Sequence, residues 1–280
     1  MNATLTIAAL TITEAVRRRL LLAFVAITAV IVALSAWGFD RLSHSHRITS
    51  GESHLAVPQA LILFMFMFSF VVALSASAIA SPSISAEIDS GVLMTVVTRP
   101  VRRTEVLLGK WLGLAALLAG YAGVVCVLEF GVVDWVSGFL PPNPVLAGVY
   151  LFFEGALLLT LSLFLSTRMP VIAAGVIAVA AFGAGWLAGV VGSLGAVFNI
   201  GALRTLGQVG RFVLPTDGLW HAAIYYLQPP SVISERLVGG GNQNPLYATG
   251  APSWPYLLWV ASWFLIVLTA AVASFERREL

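Results

Sequence analysis

Charge is scarce in this chain of 280 residues: 10% of its side chains are Asp, Glu, Lys or Arg, against about 25% in an ordinary soluble domain. With 59% of residues hydrophobic and a mean hydropathy of +0.94, a water-soluble fold of this length has too little interior to hide the apolar surface. Part of the solvent must be lipid. Cysteine is almost absent. The single thiol, Cys126, lies inside an apolar run, which excludes an intrachain disulfide and argues against a nucleophile or metal ligand, because a thiol among apolar groups is unreactive. Lysine is equally rare. Fourteen arginines and one lysine leave a net charge of +2, and they bracket apolar runs instead of clustering as nucleic-acid binding requires. HExxH is missing, as is any pairing of G-x-S with histidine, so no catalytic residue is expected. The only Gly-Lys pair, Gly109-Lys110, is followed by Trp111 and lacks the upstream glycine of a P-loop, so this chain is not expected to hydrolyse ATP.

What the chain has is long apolar runs. Six reach the roughly 20 residues that a bilayer core demands: 20–37, 57–80, 111–130, 145–165, 171–192 and 255–274. They predict an all-α polytopic membrane protein, one transmembrane domain over residues 1–280. The first run follows Arg17–Arg19 and ends near Ala33-Leu34-Ser35, as a cleavable signal peptide would. An uncleaved anchor is the preferred reading, because an even number of spans places both termini on one side. With the N-terminus in the cytoplasm, ten basic residues fall inside (Arg17, Arg18, Arg19, Arg99, Arg102, Arg103, Lys110, Arg168, Arg277, Arg278) and five outside, which satisfies the positive-inside rule. The expected location is the cytoplasmic (inner) membrane, with both termini cytoplasmic.

The connections differ. Residues 166–170 make a tight inner turn, and 38–56 and 131–144 are modest outer loops. The outer segment 193–254 is too long for a plain loop. Within it, Thr216 or Asp217 can cap a helix on which Leu219, Trp220, Ala223 and Leu227 share a face. Trp220, Tyr225 and Tyr226 favour the membrane interface. A re-entrant or interfacial helix before the last span is the expectation.

Seven of the chain's 28 acidic and basic side chains fall within residues 87–110, "EIDSGVLMTVVTRPVRRTEVLLGK", between two apolar runs. Ser81-Pro82 is a helix start. Glu87 and Asp89 follow within about two turns, Gly91 interrupts, and Pro100 breaks the run. Thr104 can cap a new helix with Glu105 in its first turn, and Lys110 can extend to the lipid headgroups. A solvated loop obeying the positive-inside rule would explain Arg102 and Arg103 alone. The whole stretch is more specific. It resembles the first cytoplasmic loop of ABC-2 type export permeases in its ordered acid (Glu87), glycine step (Gly91), P-x-x-R elbow (Pro100, Arg103) and Gly109-Lys110. The N-terminal "ALTITEAVRRRLLLAF" resembles that family's juxtamembrane helix, here residues 1–19 with Glu14 and Arg17. Thr11 departs from the pattern, where a basic residue often precedes the acid.

The resemblance implies a membrane subunit driven by a separate ATPase. It implies a cytoplasmic coupling segment at 81–107, its helix at 83–97 docking on the ATPase, with Glu87 and Asp89 paired to basic residues there, the Gly91 step setting the helix angle, and Pro100 with Arg103 forming the elbow. Two ATPase subunits would carry ATP and Mg, and a second permease copy, identical or related, would complete the pathway. This chain would need no cofactor of its own. The competing classes are a membrane-embedded enzyme, which the missing motifs disfavour, and an ATP-independent carrier or channel, which should show inverted repeats or several mid-membrane charges.

Only Glu154 lies that deep, about six residues into the fourth run, and reads either as part of a translocation path or as a hydrogen-bonded packing residue. Glu129 and Asp134, near the outer end of the third run, are expected to be wet. Gly185 and Gly189 form a G-x-x-x-G that permits close helix packing, within the chain or with a second copy. His44, His46 and His54 crowd the first outer loop, where solvation is expected and no metal site. His221 can pair with Asp217 one turn earlier.

Overall fold

Eleven helices and no strand make up the described residues of the computed structural model, which are 3–17, 19–44, 50–89, 102–238, 247–248 and 250–278. Helix α1 (Ala3–Val16) precedes the first span, α2 (Arg19–Ser43). The second span, α3 (Ser50–Ala80), breaks at Ser81 and resumes as α4 (Pro82–Asp89). Spans three to five are α5 (Arg103–Ser137), α6 (Pro144–Ser166) and α7 (Val171–Val197). The short helices α8 (Gly201–Val213), α9 (Thr216–Leu227) and α10 (Pro230–Val238) occupy the long connection, and α11 (Trp254–Glu276) is the sixth span. Six helices are long and apolar enough to cross a membrane, the number expected.

The third span runs well past the apolar stretch. At 35 residues, α5 is about 52 Å long at 1.5 Å per residue, because a charge in an apolar run does not stop a helix; only a lost hydrogen bond or a cap does. At its start Glu105, not Thr104, supplies the cap: its Oε2 accepts from the Arg102 N–H at 2.9 Å. It ends at Gly138, whose φ of 67° suits glycine and whose N–H returns to the Asp134 carbonyl at 2.8 Å. Prolines begin the next spans: Pro144 opens α6 and Pro170 precedes α7, each placed where its missing N–H costs nothing.

Helices α3 and α6 form the centre, each with more than half of its apolar stretch buried, while α2, α7 and α11 are peripheral. The small residues of α3 explain the close fit. Ala73, Ser75, Ala76 and Ser77 are all buried, and Ser77 donates to the Gly175 carbonyl of α7 at 3.2 Å while Ser162 of α6 donates to the Ser77 carbonyl at 3.2 Å. In a low-dielectric bundle such hydroxyl contacts let backbones approach without orphaning a polar group. The two ends of the bundle are termed the terminal face, where α1 and the end of α11 lie, and the far face.

Candidate functional site

The terminal face is built around the start of α5. Gly109 and Gly113 lie one turn apart and form the floor on which α1 rests: a Cβ at Gly109 would fall 2.8 Å from the Ile7 Cβ, and one at Gly113 would fall 2.6 Å from the Ala8 carbonyl oxygen. Thr11 is buried at this crossing, its hydroxyl donating to the Ile7 carbonyl at 2.8 Å. A long basic side chain would not fit there, which accounts for the departure at this position. Glu14 and Arg17 stay on the exposed side of α1.

Lys110, expected to reach for headgroups, turns inward instead. It is buried, and its ammonium donates to the Ser83 carbonyl of α4 and to the Glu87 carboxylate. The Glu87 side chain retains 21% exposure against 7% for Lys110. Glu87 is therefore paired within the chain. The first half of α4 is buried from Pro82 to Ser85. Ile84 packs with Val106, Leu107, Leu163, Ala271 and Phe275, so α4 enters the end of the bundle before emerging at Ala86–Ile88. The Asp89 side chain, Gly91, Pro100 and the rest of the expected 83–97 helix lie outside the described residues.

Arg103 is turned toward the end of α11. Its guanidinium donates to the carbonyls of Phe275 (3.4 Å), Glu276 (3.1 Å) and Arg278 (2.7 Å), supplying a cation where the helix dipole is negative and carbonyls lack partners. Ser274 joins the same cluster, accepting from Arg168 Nε at 2.8 Å and sharing a hydroxyl bond with Thr167 at 2.7 Å. The α6–α7 turn, the start of α5 and the end of α11 are thus tied together.

The far face holds the second polar assembly. Helix α8 folds back along α7 so tightly that a Cβ on Gly192 would lie 2.8 Å from the Gly207 Cα. Asn199 makes the turn with φ 55°, a conformation asparagine tolerates. The chain then reverses at Leu214-Pro215, and α9 returns toward the far face between α6, α7 and α3. Helix α9 begins one residue after its Pro215 cap position, and Leu219, Trp220, Ala223 and Leu227 are buried as their spacing predicts. Its outer end is marked by Tyr226, whose carbonyl accepts from Asn143 N–H at 3.3 Å and whose ring stacks on Tyr150. Its inner end reaches Gly185 and Gly189, well down α7. The hairpin α8–α9 is re-entrant.

Carbonyls at such depth need donors, and α11 provides them. Trp259 Nε1 donates to Phe212 at 3.0 Å, Trp263 Nε1 to Val213 at 2.9 Å, and the Tyr256 hydroxyl to Pro215 at 2.5 Å. The G-x-x-x-G seats the hairpin rather than another span: Gly185 faces Thr216, and Gly189 forms a notch for the carboxyl group of Asp217. Asp217 accepts from Arg211 Nε at 2.6 Å, and His221 Nδ1 lies 2.8 Å from the Asp217 carbonyl oxygen, the pairing anticipated one turn on.

Glu154 is buried in α6 with Ser69 donating to its Oε1 at 2.8 Å, while Oε2 has no partner among the described residues. Glu129 corrects the expectation of a wet residue: it is 0% exposed, bonded by Ser35 of α2 at 2.9 Å, because α2 leans across the outer half of α5. Asp134 is exposed as anticipated. The roles of Lys110, Arg211 and Asp217 escaped the sequence reading, since each depends on a partner distant in the chain or across a reversal. No cluster of metal-ligating residues occurs among those described.

Comparison with individually curated proteins gives no match. The sequence pattern of the ABC-2 family transporter proteins matches residues 5–280, nearly the whole length and all six spans. The chain belongs to the ABC-2 family of transporter proteins, as a multi-pass membrane subunit.

Proposed function

We propose that this chain is the permease of an ATP-driven exporter, moving a substrate across the cytoplasmic membrane with work supplied by separate ATPase subunits. The observation that carries the reading is the coincidence of family and geometry. The segment 81–107, which resembles a coupling loop, begins and ends at the one face where α1, the α6–α7 turn and the C-terminus are tied together. In this reading that face is cytoplasmic. Two ATPase subunits bind ATP and Mg, and two permease chains, identical or related, form the pathway.

A soluble motor moves a membrane helix only through a rigid connection. Helix α4 is continuous with α3 save for one residue and is wedged into the bundle by Ile84. In this proposal Asp89 pairs with basic residues of the ATPase and the Gly91 step sets the helix angle, while Glu87 and Arg103 hold the segment in place. Glu154 is buried in α6 and bonded by Ser69 of α3, so in this proposal it meets substrate only after the helices around it shift. Affinity purification of the tagged chain from its native membrane tests the reading: an ABC ATPase should co-purify and hydrolyse Mg-ATP. Isolation of the permease free of any ATPase under mild detergent would refute it.

A further inference from the structure

Beside the apolar packing of Ile84 on Val106 and Leu107, the polar contact of α4 with α5 runs through one buried cation. Lys110 is the chain's one lysine, it is buried, and its ammonium donates to the Ser83 carbonyl and the Glu87 carboxylate, which sit on α4 one turn apart. Immediately beside it, Gly109 receives α1 without a side chain between the helices. A flexible surface pair transmits little force because its side chains reorient in water; a buried, doubly bonded ammonium has one geometry and resists displacement in both directions.

We propose that Lys110 is the positioning residue that passes the movement of the coupling helix to α5. With Glu87 and the Ser83 carbonyl it forms a latch, so that α4, the start of α5 and the seated α1 shift as one body. Motion delivered to α4 then reaches the far face by two routes, directly along α3 and through Lys110 along α5. The inference rests on the proposed function, and its test separates the two.

Complexes of permease and ATPase are reconstituted in nanodiscs and spin-labelled at the far end of α5 (Trp135→Cys) or near the middle of α3 (Leu63→Cys), two exposed positions. Label spectra are compared before and after trapping with Mg-ATP and vanadate. In the wild type, both positions respond. In Lys110→Met and Glu87→Gln, hydrolysis continues, the response at 135 falls by roughly threefold or more, and the response at 63 is retained, in line with the size of typical coupling effects. The exchanged pair Glu87→Lys with Lys110→Glu restores the response at 135. An unchanged response at 135 in Lys110→Met, equal loss at both positions, or failure of the exchange to restore it overturns the latch. Should Lys110→Met not assemble, Glu87→Gln and the exchanged pair decide. A wild-type complex that hydrolyses ATP while position 135 stays still also overturns the latch, whereas a wild type lacking any ATPase defeats the parent reading instead.

Discussion

Replacing Gly189 by alanine adds one methyl group at the point where the re-entrant hairpin meets α7. The new Cβ would overlap the Asp217 carboxyl group, with even the farther oxygen at 2.7 Å, so something must move. One relief is a small retreat of α9 from α7, an overpacking cost of about 1–3 kcal/mol. The other is rotation of Asp217 away from Arg211. Breaking a fully buried pair costs about 3–5 kcal/mol, reduced here because the Arg211 side chain is 42% exposed and solvent recovers part of the loss. The cheaper path wins, and the expected destabilisation is about 2 kcal/mol, a fall in Tm of roughly 4–8 °C for a chain of this size. Intrinsic tryptophan fluorescence during heating in detergent reads this, since Trp220 lies on the hairpin and Trp259 and Trp263 bond to it. The control is Gly183→Ala on the same helix, where a Cβ meets open space; it should melt at the wild-type temperature or above, alanine being the better helix former by up to about 1 kcal/mol. A second control removes the obstacle. In an Asp217→Ala background, Gly189→Ala should cost almost nothing further, a non-additivity expected only of groups in contact. A Gly189→Ala protein that melts with the wild type, or strict additivity with Asp217→Ala, would show that the hairpin does not rest in this notch.

Gly113→Leu should dislodge α1, because even a Cβ there falls 2.6 Å from a main-chain oxygen; faster proteolysis within residues 1–17, with the remaining bundle intact, is the readout. Arg103→Ala should leave three carbonyls at the end of α11 without their guanidinium donor and speed amide exchange over residues 270–278, with Arg103→Lys recovering only part because an ammonium lacks the planar fork. Trp263→Phe keeps the ring but strands the Val213 carbonyl, which should lower stability by about 1–3 kcal/mol, whereas Trp254→Phe at an exposed position should change it little; thermal unfolding of both decides.

Apolar run length is local, so it was legible early; the caps expected at Thr104 and at Thr216 or Asp217 were not the ones formed, since Glu105 accepts from the Arg102 N–H and α9 starts after Pro215 without a side-chain cap. The six spans, the even parity that brings the termini together and the helix at 216–227 all follow from counting residues against bilayer thickness and from the spacing of Leu219, Trp220, Ala223 and Leu227. The same locality misled about the charges of the third span: Lys110 was expected at the headgroups and Glu129 in water, yet both are buried, because their compensation comes from Ser83 and Glu87 on α4 and from Ser35 on α2.

Composition and periodicity by themselves determined that the chain lives in lipid, how many times it crosses, and where its charge is concentrated, because the cost of exposing polar backbone or burying charge in hydrocarbon is paid residue by residue. Tertiary structure alone decided what each charge does. Whether Lys110 meets a headgroup or Glu87, whether Arg103 faces a partner or the end of α11, and whether Gly189 opposes a second copy or Asp217 depends on which side chain lies within about 3 Å. Such contacts join residues 23, 172 and 28 positions apart, and no local pattern records them.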